Sequence, residues 1–377
     1  MKSLFFSERV SFFLLVVFSF VLNAKEGFSR LSIFLAIFFV FLLFLKKGKI
    51  FLIRDYVLPI IFLIFNTFSL FWGGNIDYVM QVSSAIIIGY AVFAGLKYGV
   101  PISILVWGMV VAAILNIAFS YENIGYFHRF EASRPAGLIG NANALAIFLS
   151  FVAFLLYFLT SKKRLLIKCI VFFLLYFVFF FTGSRKGLLL VAMIILLIGI
   201  DYLIWQKARI SPKRCMVVFL VLVIFLGFCF TKFSVISKDV LGVQRVEALL
   251  RGEDRWSAQT RYLMIDQATN LWLEKPFLGW GGGGFAINSG FGTYSHNNYV
   301  ELLSNYGLVG FCLYYAFYVY LFAIGWSLRK EYLSRVGFLI IIMLFILEWG
   351  FVSLGDKTSW ILLGIAAHCI IPYRGVI

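Results

Sequence analysis

The sequence predicts an all-α polytopic membrane protein of about 12 transmembrane helices, with one large outer loop carrying amphipathic helices. Three observations predict it. The 377 residues are 62% hydrophobic and only 13% charged, more apolar surface than a soluble domain can hide. Long apolar runs alternate with short charged connectors. The formal net charge of +16 falls mostly on every second connector, which is the positive-inside pattern and not a nucleic-acid-binding stripe.

The apolar runs lie near residues 5–23, 31–45, 56–73, 79–97, 100–119, 141–160, 165–182, 187–205, 216–232, 307–326, 336–354 and 358–373. With the N-terminus inside, the inner connectors hold Lys46, Lys47, Lys49 and Arg54, then Lys97, then Lys162, Lys163, Arg164 and Lys168. Lys207, Arg209, Lys213 and Arg214 follow, and Arg329, Lys330 and Arg335 complete the set. That assignment puts both termini inside and residues 233–306 outside, as a loop inserted between spans 9 and 10 of a single transmembrane domain, 1–377. The opening residues imitate a signal peptide ending near Ala24. A first span with inner Lys2 and Arg9 is the better reading, since a polytopic protein needs no cleaved signal. Cys169, Cys215, Cys229, Cys312 and Cys369 lie in or beside spans without a CxxC. They indicate neither a zinc site nor a disulfide framework.

Within the insert, SAQTRYLMIDQATNLWLE (257–274) reads as an amphipathic helix, with Ile265, Ala268 and Trp272 recurring at helical spacing. Trp256, Trp272 and Trp280 suit a helix lying at the membrane–water interface. Pro276 stops it, and the glycine run 281–284 lets the backbone bend. Arg261 falls on the apolar stripe. It either snorkels toward headgroups or points into a cavity between insert and bundle.

Polar groups in so apolar a chain need reasons. Arg185 lies in FFFTGSRKGLLL, between two apolar runs; at membrane depth a charge costs about 2.5–3.5 kcal/mol unless partnered. An arginine fork fits phosphate oxygens, whereas a hairpin cation at the water surface is the plainer account. His296, one of three histidines, precedes a helical pattern for which Ser295 or Asn297 would be the N-cap. A histidine at a helix N-terminus stays neutral and can take a proton from a hydroxyl, although a lone loop histidine is more often a surface residue. His128 and His368 fit that plainer account. RPAGLIGNANALAIFLS (134–150) puts Arg134, Asn141 and Asn143 at the mouth of a span, as caps or as a polar lining for a lipid headgroup. No DxD, Walker A or Ser–His–Asp layout occurs, so nucleotide-driven chemistry is not expected, nor is a metal or other cofactor.

Three pieces together resemble the bacterial O-antigen ligase and O-antigen polymerase family of polytopic glycosyltransferases. They are TGSRKGLL (182–189), the segment from Arg261 to Pro276 running into PFLGWGGGGF, and SHNNYVELLSNYGLVGF (295–311). The family shows an arginine ahead of a Pro-x-x-Gly-x-Gly turn, as Arg261, Pro276, Gly279 and Gly281 stand here. Ligases then show His-Asn followed by Gly-x-x-Gly and a Thr or Val. His296, Asn297, Gly307 and Gly310 fit, and Phe311 departs. GNANALA is also similar to the family, and the likeness spans roughly residues 130–315.

The resemblance implies a glycan donor carried on undecaprenyl diphosphate, used without metal at the periplasmic face of the bacterial inner membrane. It implies that Arg185 and Arg261 bind the diphosphate and that His296 is the catalytic base. Arg134, Asn141, Asn143, Asn297 and Lys186 complete the expected substrate-binding set. With lipid A–core oligosaccharide as acceptor the enzyme is a ligase; with a second lipid-linked glycan it is a polymerase. The His-Asn to Gly-x-x-Gly spacing favours the ligase. A lipid-linked oligosaccharide flippase or transporter would show two related halves and polar groups along midplane helices, and the chain shows neither.

Overall fold

The computed structural model describes residues 2–21, 26–47, 54–124, 135–160, 165–200 and 255–371. Every regular element among the described residues is a helix. In chain order they are α1 (Lys2–Val21), α2 (Glu26–Lys47), α3 (Val57–Phe68), α4 (Ile76–Lys97), α5 (Ile102–Ile124), α6 (Ala142–Leu159), α7 (Leu165–Phe181) and α8 (Arg185–Ile200). After them come α9 (Arg255–Glu274), α10 (Gly284–Asn288), α11 (Asn298–Ser327), α12 (Tyr332–Glu348) and α13 (Lys357–Ile370). A helix stands at every predicted span except 216–232, which lies outside the described residues. Arg134 and His128 lie outside them too.

Among the described helices, Ile76–Lys97, Ile102–Ser120, Ala142–Leu159 and Asn298–Ser327 are long and apolar enough to cross a membrane. The side chains agree. On α2, Phe34, Phe38, Phe41 and Leu45 form one exposed stripe, at i, i+4, i+7 and i+11, that suits acyl chains and not water.

The chain divides into two compact units, Met1–Gly108 with Arg255–Ile377, and Met109–Asp254. In the second unit α6 packs on α7 and α8. Its side chains from Leu145 to Leu156 are all buried, the pattern of a helix covered on every side. In the first unit α13 packs on α4 and α12, while α11 packs on α3, α9 and α12.

One constraint organises the end of the first unit that carries the candidate site. The sequence places a span at 307–326; the helix instead begins at Asn298 and breaks at Gly307, whose backbone adopts φ 61°, ψ −167°. That region is essentially closed to any residue with a Cβ. The break releases the amides of Leu308 and Val309 and the carbonyls of Ser304 and Asn305 from the i→i−4 ladder. All four are satisfied by one turn. Leu308 and Val309 donate to the carbonyls of Pro276 (2.8 Å) and Phe277 (3.1 Å), while Ser304 and Asn305 accept from Trp280 (3.0 Å) and Gly281 (2.7 Å). In an apolar setting each orphaned group would cost several kcal/mol, so a break is tolerated where another segment supplies the missing partners. A Cβ on Gly307 would run into the Phe277 carbonyl, and one on Gly279 would lie 2.5 Å from the Asn305 carbonyl carbon.

The glycine turn is itself pinned. Asn75 donates its amide to Gly282 at 2.7 Å, Gly282 donates to Ser69 Oγ at 3.1 Å, and the Trp72 indole donates to Leu278 at 3.2 Å. The Tyr306 hydroxyl, on the last turn before the break, donates to Asn66. Gly307→Ala should therefore melt well below wild type, by at least the roughly 1–3 kcal/mol of a forbidden backbone conformation. Gly199→Ala, in helical backbone with no described residue within 4 Å of the added carbon, should melt at or above wild type. Thermal unfolding of both variants in one detergent checks it.

Candidate functional site

Helix α9 leads to the site. Its buried face is Met264, Ala268 and Leu271, which meet Phe285, with Trp280, Phe291 and Val300 at the edge. The expected stripe of Ile265, Ala268 and Trp272 is thus rotated by one residue. Ile265 and Trp272 are half-buried at its border. Two of the tryptophans make hydrogen bonds of their own. The Trp272 indole donates to the Pro276 carbonyl at 3.1 Å, and that of Trp280 donates to Leu271 at 2.9 Å. The second bond satisfies a carbonyl in the last turn of α9, where helix carbonyls lack partners. Arg261 stands one turn before Met264, half-buried at the N-terminal end of the buried face.

His296 sits in the turn that opens α11. Asn297 is the N-cap, its Oδ1 accepting the amides of Tyr299 (2.9 Å) and Val300 (3.3 Å). Of the two expected caps the structure uses this one. His296 is half-buried, and its φ of 61° makes it the sole non-glycine with positive φ among the described residues. Left-handed backbone disfavours any side chain with a Cβ and persists only where the surroundings over-determine it. Its ring packs edge-on against Tyr294, centroids 4.5 Å apart. Burial pushes the Tyr294 hydroxyl above the usual phenol range, while Arg261 pulls it down and Glu301 raises it further. Arg261 and Glu301 are therefore each within electrostatic reach of Tyr294, against which His296 packs.

The start of α11 is held from the far side by α12 and the turn after it. Asn297 Nδ2 donates to the Trp349 carbonyl at 3.2 Å, and the Tyr299 hydroxyl donates to Phe345 at 2.7 Å. Asn298 Oδ1 accepts the amides of Ser353 (3.1 Å) and Leu354 (3.2 Å), and its Nδ2 donates to Tyr315 Oη at 3.2 Å. Tyr315 in turn donates to the buried carboxylate of Glu348 at 2.7 Å, which also accepts from Tyr318 (2.6 Å), Tyr314 (3.2 Å) and Ser353.

In the second unit, Ser184 accepts the amide of Gly187 at 3.2 Å and so caps α8. Arg185 and Lys186 are its first two residues, both half-buried. The expected span began at 187; the helix starts two residues earlier and takes the cations into its first turn. Asn141 caps α6, accepting from Asn143 (2.9 Å) and Ala144 (3.2 Å), so its side-chain oxygen is spent on the helix. Asn143 lies in the first turn and is half-buried. The turn before it is tied to α5, where Asn116 Oδ1 accepts the Ile139 amide at 3.0 Å.

Tyr294, Asn298, Glu301, Asn305 and Glu348 were not among the candidates read from the sequence. A signal existed for one of them: Glu348 is a carboxylate inside an otherwise apolar helical run, where an ionisable group is costly without a role. Among the described residues, no three His, Cys, Asp or Glu side chains gather as a metal site would require.

A helical membrane protein whose polar residues collect at helix ends is the class that fold and site define. The comparison with known families goes further: residues 170–315 match the O-antigen ligase family model. That stretch takes in Arg185, Arg261, the glycine turn, His296 and Gly307. The family resemblance is thereby borne out over that stretch. No curated protein matches the chain.

The strain at His296 has a measurable consequence. His296→Gly and His296→Ala both lose the ring, but only the alanine keeps a Cβ in left-handed backbone. The glycine variant should be the more stable of the two by roughly 1 kcal/mol, read as the difference between their melting temperatures. Equal melting would mean that the turn is not held left-handed.

Proposed function

We propose that the protein is an O-antigen ligase, a glycosyltransferase moving a glycan from undecaprenyl diphosphate to lipid A–core oligosaccharide. The observation that carries this reading is the imidazole held in a strained turn at the N-terminus of a long apolar helix, with Tyr294 against it and Arg261 in electrostatic reach of that tyrosine. In this reading the protein has about 12 spans in the bacterial inner membrane, with both termini cytoplasmic and the 233–306 loop periplasmic.

The step is a displacement. The acceptor hydroxyl oxygen attacks the anomeric carbon from the face opposite the donor diphosphate. The carbon–oxygen bond to the diphosphate breaks, undecaprenyl diphosphate leaves with the electron pair, and His296 takes the hydroxyl proton. Arg261 and Arg185 act on the diphosphate as charge builds on it. Arg185 has a physical argument of its own. A cation in the first turn of a helix opposes the dipole by about 0.3–1 kcal/mol, whereas an anion there is favoured by the dipole and the guanidinium together. Lys186 and Asn143 belong to the substrate-binding set of this reading. Arg134, Asn141 and Asn297 are proposed from the sequence alone, the first outside the described residues and the other two already acting as caps. Phe311, where ligases carry Thr or Val, is the observation favouring a polymerase, which would join two lipid-linked units by the same step.

Loss of the gene followed by gel analysis of surface polysaccharide separates the two: free long chains not joined to core mean ligase, and core bearing a single repeat means polymerase. His296→Ala should lower turnover with a lipid-linked donor by about 10²–10⁴-fold, the usual worth of a positioned base, and near-normal turnover would remove it from that role. Arg185→Lys and Arg261→Lys keep the charge but lose the fork, so each should still impair transfer. Exposed Lys330→Ala is the contrast and should transfer like wild type. Transfer should persist in EDTA because the arginines supply the positive charge on the leaving group; loss that magnesium restores would assign that charge to a metal instead.

A further inference from the structure

Glu301 lies one turn into α11 and is fully buried. Its two oxygens are taken by different donors. Oε2 accepts the backbone amide of Ser295 at 2.7 Å, and Oε1 accepts Asn305 Nδ2 at 3.0 Å. Neither donor is free to turn away. The first is backbone. The second is oriented because Asn305 Oδ1 accepts the Phe285 amide at 2.7 Å, which leaves its NH₂ group facing the glutamate. A glutamine at 301 has one acceptor and one donor in the same volume, so at one of the two contacts a donor would meet a donor. The arrangement calls for a carboxylate.

What this carboxylate holds is the residue immediately before His296. On the other side Asn297 is held by its cap bonds and by Trp349. His296 is thus a single left-handed residue between two tethers, and Glu301 supplies the N-terminal one. Buried charge is costly, and here it is committed to the one turn that carries the imidazole. Asn305 connects that tether to the glycine turn, through Phe285 on one side and through its own carbonyl, which accepts the Gly281 amide at 2.7 Å, on the other.

We propose that Glu301 and Asn305 are positioning residues for His296, together holding the imidazole in the attitude in which it meets the acceptor hydroxyl. This rests on the reading of His296 as the base. The pair can be inverted. With Glu301→Gln and Asn305→Asp together, the glutamine oxygen takes the Ser295 amide and the glutamine NH₂ donates to the new carboxylate. That carboxylate's other oxygen still accepts from Phe285. Each hydrogen bond and the net charge survive. The Tyr78 hydroxyl, 3.4 Å from Asn305 Nδ2, can turn its proton to whichever neighbour accepts.

The test compares the full-length wild type, Glu301→Gln and the double variant in detergent, by kcat and donor KM and by amide hydrogen exchange over residues 292–298. Glu301→Gln should lower kcat by about 10–100-fold, as small misplacements of catalytic groups do, with donor KM within about twofold and faster exchange in that segment. The double variant should recover both turnover and protection. Wild-type kcat in Glu301→Gln overturns the proposal. So does a double variant that regains protection without turnover, since the charge at 301 and not the geometry would then be what transfer needs. A double variant that fails to fold overturns it as well, because the swap keeps every bond. If the wild type transfers no glycan, the proposed function falls, and the exchange data alone decide whether the tether exists.

Discussion

The break in α11 at Gly307 is the constraint on which the candidate site depends. A helix in an apolar setting cannot simply stop and restart, because its backbone groups have nowhere else to go. Here the four groups it gives up are matched, one for one, by the turn 276–281. The glycine turn and the broken helix are therefore a single object. The turn draws the C-terminal end of α9 against α11, and α9 carries Arg261. The half-helix before the break is freed to begin at Asn298 and to present His296 at its tip. The arginine and the histidine both come to Tyr294 because a backbone exchange joins the segments that carry them.

Much of the fold was legible in the sequence, because apolar run length and charge alternation report directly on what a bilayer demands. The runs gave the helices, and the polar residues ahead of them put Asn141 and Asn297 among the candidate caps. What ran ahead of the sequence was register. The buried face of α9 differs by one residue from the predicted stripe because the stripe was read on Ile265 and Trp272. Trp272 is large and apolar, but its indole N–H is needed at the helix end. Periodicity sees hydrophobicity and is blind to the hydrogen bond. The span within α11 was read short, from 307, for a related reason. Residues 298–306 are too polar to look like a span, yet they are helical because Glu301, Ser304 and Asn305 spend their polar groups inside the structure.

The site divides in the same way. Arg261 and His296 were singled out for chemistry that sequence exposes: a cation on an apolar stripe and a histidine before a helix. The groups that orient them were not, since their roles are relational. Asn305 looks like any helix asparagine until its oxygen is seen on Phe285 and its nitrogen on Glu301. Tyr294 looks like any loop aromatic until its ring is found against His296.

The two buried carboxylates show how a left-handed histidine is kept in place in so apolar a protein. Each is satisfied by neutral donors: an amide and an asparagine at Glu301, three tyrosines and a serine at Glu348. A network built that way is stiff, because each donor has one productive orientation, and a half-satisfied version would be worse than an apolar core. Glu301 reaches the residue before His296 directly. Glu348 reaches the residue two after it through Tyr315 and Asn298. Strain of the order of a kcal/mol at one backbone position is sustained only when the neighbouring positions cannot relax. Two carboxylates bracketing the turn from opposite sides remove that freedom, and with neutral partners they do so without a cation being drawn into the tether.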